Sequence, residues 1–412
     1  MTVALVWDPA LASYRFPRHH PMRPERFSLA VDLMREWDLL DEPGGTGRSR
    51  SGEEHVRART WAPAPAPVEE LLLFHTREYV DAVMAASADP TREAEDMGLG
   101  PGDTPVFAGM HEAAALAVGS TTLALDAVLK GRTTRAFNPA GGLHHAMPGR
   151  AAGFCIYNDC AIAIERATRS RRGLHVAYVD IDAHHGDGVQ AAFYDRADVL
   201  TLSVHESGRF LFPGTGDIDD IGTGPGVGAC INVPLPPGAG PESYALVMHD
   251  VIAPALRHFR PDVIVAQLGG DTHVGDPLTH LTQTVAGHVD MARHIVGLSD
   301  KLCEGRLVAV GGGGYQPFSV VPRMWALTMA VLMSSEVPVD VPLEWMDEAV
   351  RAASHAGVAL QRVTDPLDDR EGVADLGTFT DRPGEGDPEP LGATHQVIDR
   401  VRRASLLIGH GH

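Results

Sequence analysis

Apolar residues along this chain gather in short, largely β-branched runs, and each run closes on a loop rich in glycine, histidine or aspartate. Runs of that length and composition predict buried strands. They end in RAFNPAGG at 135–142, HVAYVDIDAHH at 175–185, VLTLSVHESG at 199–208, DVIVAQLGGD at 262–271 and RLVAVGGGGY at 306–315. Between some of them lie stretches with helical periodicity, FAGMHEAAALAVGSTTLALDAVLKG at 107–131 and PESYALVMHDVIAPALRHF at 241–259. Strands alternating with helices predict an α/β fold, a central, mainly parallel β-sheet flanked by helices on both faces. In such sheets ligands bind beyond the carboxyl ends of the strands, and the polar clusters of this chain fall at those ends.

Two regions break the pattern. Residues 41–67, with their turn formers and Ala-Pro pairs, predict a surface excursion within the domain. Beyond a domain spanning 1–363, residues 364–412 predict a tail, acidic, loose and rich in Gly and Pro as far as residue 390. The tail ends in ATHQVIDRVRRASLL at 393–407, whose spacing predicts one last amphipathic helix, docked on the body or on a partner.

Composition narrows the class. With 412 residues, 44% hydrophobic and 21% charged, the chain has ample material for a large core. Its uninterrupted apolar stretches, such as WALTMAVLM at 325–333, fall short of the ~20 residues of a membrane helix, so no membrane span is expected. The first residues, MTVALVWDPALASYR, lack a basic segment followed by a long apolar one, which points to a cytoplasmic protein. Cys155, Cys160, Cys230 and Cys303 have no metal or redox spacing and are expected reduced and buried. A net charge of −20 argues against nucleic acid as a partner, because the phosphate backbone rewards clustered positive charge. That charge would suit a cationic partner, and a solvated acidic surface accounts for it as well.

Candidate chemistry begins at VDIDAHHGDG, 179–188. If the strand persists through it, Asp180, Asp182 and His184 alternate onto one face, where buried carboxylates and an imidazole call for a counter-ion. LGGD at 268–271 brings Asp271 to the end of another strand. Asp182, His184 and Asp271 then form a three-ligand centre with mixed N and O donors and an open position, suited to catalytic Zn²⁺ and also to Fe²⁺ or Mn²⁺. GGLHHAMPG at 141–149 adds His144 and His145, with Asp180 and Asp187 as carboxylates able to orient them. GGGGYQP at 311–317 delivers Tyr315, a phenol able to donate to a developing oxyanion. Together these name metal-assisted hydrolysis of a neutral acyl bond. No G-x-S-x-G, H-E-x-x-H or Walker-A pattern occurs.

Read in order, HPMRPER, PGDTPVF, GGLHHA, GFCIYND, DIDAHHGDG, LFPGTGD, LGGDTHVGDPLTHL and GGGGY resemble the arginase/deacetylase superfamily. Within it the chain is similar to the zinc-dependent histone deacetylases and their bacterial acetoin-utilisation relatives, over residues 4 to 335. The resemblance implies one α/β domain of the arginase/deacetylase type, with Zn²⁺ held by Asp182, His184 and Asp271. It implies His145 as general base, His144 as electrostatic partner or general acid, and Tyr315 as oxyanion donor, with the division between the two histidines open. Asp180 and Asp187 would orient the histidines. Asp103 would accept the substrate's main-chain N–H groups, and Gly153, Phe154 and Phe212 would line a tunnel gripping the lysine stem. Arg26 matches the residue at an internal acetate-release pocket. Leu278 stands where polyamine-selective relatives carry an acidic gatekeeper, which favours acetyl-lysine. A structural K⁺ is implied at Asp180, Asp182, His184, Ser203 and the Val204 carbonyl. The implied substrates are acetylated proteins, acyl-CoA synthetases among them.

Three other readings compete. An acetylpolyamine deacylase would use the same residues on a smaller substrate. A silent acetyl-lysine binding module would have lost Tyr315 or a ligand, and neither is lost. A two-metal ureohydrolase needs more bridging carboxylates, where this chain offers His144, His145 and Tyr315. Only Lys130 and Lys301 are lysines, which leaves little scope for regulation by self-deacetylation.

Overall fold

The computed structural model describes residues 2–17, 19–41, 57–369 and 390–405. Nine strands form one sheet: β1 Val3–Val6, β2 Leu40–Asp41, β3 Ala58–Trp61, β4 Arg135–Asn138, β5 Val176–Asp180, β6 Val199–Glu206, β7 Cys230–Leu235, β8 Val263–Gln267 and β9 Leu307–Val310. Every pairing is parallel, in the order β2-β3-β1-β4-β9-β8-β5-β6-β7. The β-branched runs are buried on both sides, as a parallel sheet covered by helices requires. Alternate residues feed two separate cores: Ala177, Val179, Leu307 and Ala309 pack on one face, Val176, Tyr178, Val308 and Val310 on the other.

Topology brings the chemistry together. β4, β9, β8 and β5 are neighbours in space although far apart in sequence, because the chain passes from β4 to β5 and fills the gap later with β8 and β9. Their carboxyl ends carry the GGLHH, GGGGY, LGGD and DIDAHH segments side by side. This is the place where open α/β sheets bind ligands.

Several expectations change. The strand before DIDAHH stops at Asp180, so Asp182 and His184 are placed by a loop and not by strand alternation. Residues 41–67 are no mere excursion, since β3 lies between β1 and β2 and Ala66 donates its N–H to Ala115. Residues 42–56 of that segment lie outside the described residues. The long helix Met110–Leu129 is apolar and long enough to cross a bilayer by composition, but it is a core helix, buried over most of its length. The predicted helix at 241–259 widens at Met248–Ile252, just before Pro254, whose missing N–H interrupts the regular ladder. Parts of the tail pack on the body: Pro366 accepts from Arg323, Asp369 accepts from the Val285 N–H at 2.7 Å, and the helix Pro390–Ala404 buries Ile398 and Val401. Residues 370–389 lie outside the described residues.

Candidate active site

The histidine pair sits on the loop after β4. Asp159, at the start of the helix Asp159–Ser170, accepts the N–H groups of Gly142 and Leu143 at 3.0 and 2.7 Å. The Asn158 amide holds the His144 and Ala146 carbonyls, each at 3.1 Å. These bonds fix a turn that aims both rings inward. His144 Nδ1–H donates to Asp180 Oδ2 at 2.8 Å and His145 Nδ1–H to Asp187 Oδ1 at 2.7 Å. The two Nε2 atoms face each other at 3.0 Å, so they can share one proton between them. Burial opposes charge on His144, but Asp180 and Asp182 outweigh it and push the ring up to about 9. Burial and the neighbouring His144 charge push His145 down to about 4 despite Asp187. At neutral pH the pair's proton therefore resides on His144, and His145 can accept one.

Beside them, His184 Nδ1 lies 3.1 Å from Asp182 Oδ1 and 2.9 Å from Asp271 Oδ2. The remaining carboxylate oxygens are taken by the scaffold: Asp182 Oδ2 accepts from Gln267 Nε2 and Gly313 N, and Asp271 Oδ1 accepts from Ala183 N. Each ligand so keeps one atom turned to a shared centre, and the three atoms lie within 4.8 Å of one another, all buried. Burial and the Asp182 charge raise Asp271 to about 6, as expected for two carboxylates confined together. Among the described residues this is the one cluster of His, Cys, Asp or Glu with such geometry. One imidazole and two carboxylates, with a face left open, fit a catalytic divalent ion. Gly313 approaches so closely that a Cβ there would lie 2.0 Å from Asp271 Oδ2. The glycine run is thus a packing requirement of the ligand set.

Tyr315 follows β9 and is anchored by its N–H to Asp276 Oδ2 at 2.8 Å. Burial and the nearby Asp271 and Asp182 hold its phenol well above the ordinary range, so it stays a proton donor. A cavity of about 200 Å³ runs from the ligand set to the surface, walled by Phe154, Leu211, Phe212, Leu278 and Tyr315, with Asp103 at its lining and His145 and His184 at its base. Phe154 stands edge-on to Tyr315 at 5.6 Å, and Phe212 edge-on to His145 at 5.1 Å. Gly153, at φ +51°, leaves no room for a side chain: a Cβ would lie 2.3 Å from the His145 ring. Behind the histidines a small inner cavity, about 20 Å³, is lined by Arg26 and both rings. Arg26 is buried over Phe27 and Trp325, donates to the Gly314 carbonyl at 2.9 Å, and keeps an Nε with no partner. Ser203 lies level with Asp180 on the adjacent strand, beside Val204, and its hydroxyl pairs with His205 at 2.9 Å.

A larger cavity, about 460 Å³, lies elsewhere, between the 207–220 loop and the helix Pro390–Ala404. It has no nucleophile, base and ligand set, so the chemistry belongs to the smaller tunnel. Sequence reasoning missed several supporting residues. Tyr178, whose hydroxyl donates to Asp180 at 2.7 Å, shares a strand face with it and was legible by period two. Gln267 reaches Asp182 from the neighbouring strand, 85 residues away, and had no local signal, whereas Asp159 closes the GFCIYND segment without its role as the anchor of the histidine turn being read. Asp276 stands in DPLTHL, where only its place under Tyr315 shows its role.

A three-donor centre open to a narrow apolar tunnel, with a base on one side and a phenol on the other, is the arrangement of a metal-dependent amide hydrolase. Comparison with known proteins narrows that class. The histone deacetylase domain matches residues 20–332. The acetoin utilization protein AcuC of Bacillus subtilis (strain 168) is 42% identical over 343 residues, 83% of this chain and 84% of its own length. AcuC of Staphylococcus xylosus is 35% identical over 348 residues, 84% of this chain and 86% of the relative. The crystal structure of an HDAC homolog from Aquifex aeolicus superposes with a TM-score of 0.77 at 29% identity, covering 98% of this chain and 100% of the other. An HDAC homolog complexed with SAHA gives 0.78 at 30% identity, with the same coverage. The chain belongs to the histone deacetylase family, with AcuC proteins among its relatives, and is a deacetylase.

Proposed function

We propose that the protein hydrolyses the acetyl amide of acetyl-lysine in proteins or peptides, releasing acetate and free lysine. The observation that carries this reading is the narrow apolar tunnel between Phe154, Phe212 and Leu278, ending at Asp182, His184 and Asp271. An uncharged lysine stem fits such walls by its methylenes. Leu278 presents no charge to the ammonium of a polyamine. Asp103, at the tunnel lining, is placed to accept main-chain N–H groups of the substrate.

Bound at Asp182, His184 and Asp271, Zn²⁺, or Fe²⁺ in its place, supplies Lewis acidity to the acyl oxygen and to a water. His145, neutral at pH 7 and facing the tunnel, takes the proton of that water, with Asp187 fixing its tautomer. Protonated His144, held by Asp180, supplies positive charge beside it and a proton for the leaving amine. Tyr315 donates to the developing oxyanion. Acetate then has a cationic resting place at Arg26 in the inner cavity. K⁺ at Asp180, Asp182, His184, Ser203 and the Val204 carbonyl would stiffen the turn that holds the ligands. Acetylated metabolic enzymes such as acyl-CoA synthetases are the proposed protein substrates. Four cysteines, all free and buried, suit a reducing cytoplasm.

The test compares kcat/KM on an acetyl-lysine peptide and on acetylated spermidine or putrescine. The peptide is expected to be favoured by at least about tenfold, the weight of a few apolar contacts. Preference for the polyamine would move the protein to small-molecule deacylation.

A further inference from the structure

Beyond the groups that do the chemistry, buried Glu206 and partly exposed His280 join two segments that line the tunnel. Glu206 is the last residue of β6, and the loop that carries Leu211 and Phe212 starts at the next position. Its side chain is 0% exposed, yet both carboxylate oxygens are spent on a single residue. Oε2 accepts the main-chain N–H of His280 at 2.8 Å, and Oε1 accepts its ring Nδ1–H at 2.7 Å. His280 belongs to the 276–281 loop, whose Leu278 also lines the tunnel.

The rest of that loop is equally tied. Asp276 Oδ1 accepts the Leu278 N–H at 2.9 Å while Oδ2 takes the Tyr315 N–H, and the Thr279 hydroxyl donates to the Asp271 carbonyl at 2.7 Å. Leu278 therefore stands between two anchors, one on each side. Asp276 fixes it to the catalytic tyrosine, and His280 fixes it to the root of the Phe212 loop. Glu206 also donates its N–H to the Ala183 carbonyl at 2.9 Å, between the ligands Asp182 and His184. A carboxylate removed from water costs several kcal/mol unless its partners satisfy it, so an apolar residue would be the simpler filler if packing were all that mattered.

We propose that Glu206 and His280 form a clamp that sets the bore of the tunnel between Phe212 and Leu278, and so act as positioning residues for the lysine stem. The inference rests on the acetyl-lysine reading above. Neither residue touches the reacting atoms. The stem is held equally in the ground and transition states, so loosening its walls raises KM and leaves kcat nearly unchanged. A purely structural pair would instead lower the melting temperature and the active fraction without moving KM.

Three variants of the full chain, each checked for metal content, read the split. His280→Ala, at a position 27% exposed, keeps the scaffold if Glu206→Ala fails to fold. Both are expected to raise KM for the acetyl-lysine peptide about tenfold with kcat within about threefold. Glu206→Gln should stay near the parent, because its amide can accept the main-chain N–H and donate to the other ring tautomer. Unchanged KM in His280→Ala, or loss of kcat at constant KM, overturns the clamp. Failure of the unsubstituted protein on the peptide would sink the substrate reading instead. The same KM comparison on acetylated spermidine, whose chain would enter the same tunnel, then decides the clamp.

Discussion

Tyr315 is held by its main chain at Asp276, which leaves its phenol to serve the tunnel. Tyr315→Phe removes that hydroxyl and no anchor. Metal content should be unchanged, while kcat falls by roughly 10² or more, the usual worth of one oxyanion donor. Turnover near the parent's would remove the phenol from the mechanism. At this scale the sequence was most legible. Asp182, His184 and Asp271 were recognisable by residue type and place, although the reason offered for two of them, strand alternation, does not hold beyond Asp180. Their partners were less legible, because Gln267 reaches Asp182 from a strand 85 residues away in sequence and no local pattern marks such a contact.

At the scale of elements, buried neutral histidines tie loops and helices together. His75 Nδ1–H donates to the Met147 carbonyl at 3.0 Å, and its Nε2 accepts the Asn158 N–H at 3.0 Å. The ring so fastens the segment after the histidine pair to the start of the next helix. Burial pushes both His75 and His288 down to about 4. A histidine whose folded value is depressed stabilises the fold fully above its unfolded value, about 6.5, and that stability is lost as the pH falls toward the folded value. Each is worth roughly 3 kcal/mol at full protonation. Through these two histidines, urea unfolding should show a decline in stability as the pH falls between about 6.5 and 4. His288→Leu, which has no charge to bury, should flatten part of that decline. An unchanged slope in the variant would show that other groups carry it.

On the scale of the whole molecule, the ligand set concentrates buried negative charge where four strand ends meet. Stripping the metal should lower the melting temperature as well as abolish turnover. One equivalent of Zn²⁺ or Fe²⁺ per chain should restore both, since an ion bound only by the folded state adds about 4 kcal/mol at a thousandfold excess over its Kd. Restoration that required two ions per chain would contradict the single centre, and metal analysis of the reactivated protein counts them.

The sequence by itself determined the α/β class, the parallel sheet and the residue types of the site, because strand periodicity and loop composition are local properties written into consecutive residues. It placed 41–67 within the domain but did not reveal β3, which depends on neighbours on both sides that the segment cannot show. It also treated 364–390 as loose, whereas Pro366 and Asp369 are held by residues far upstream. Only the tertiary structure decided the strand order that sets β9 and β8 between β4 and β5, the 3.0 Å approach of the two histidine Nε2 atoms, and the Glu206–His280 tie between two loops that line the tunnel. Those depend on contacts between segments remote in sequence, and such contacts are selected by the packing of the whole chain.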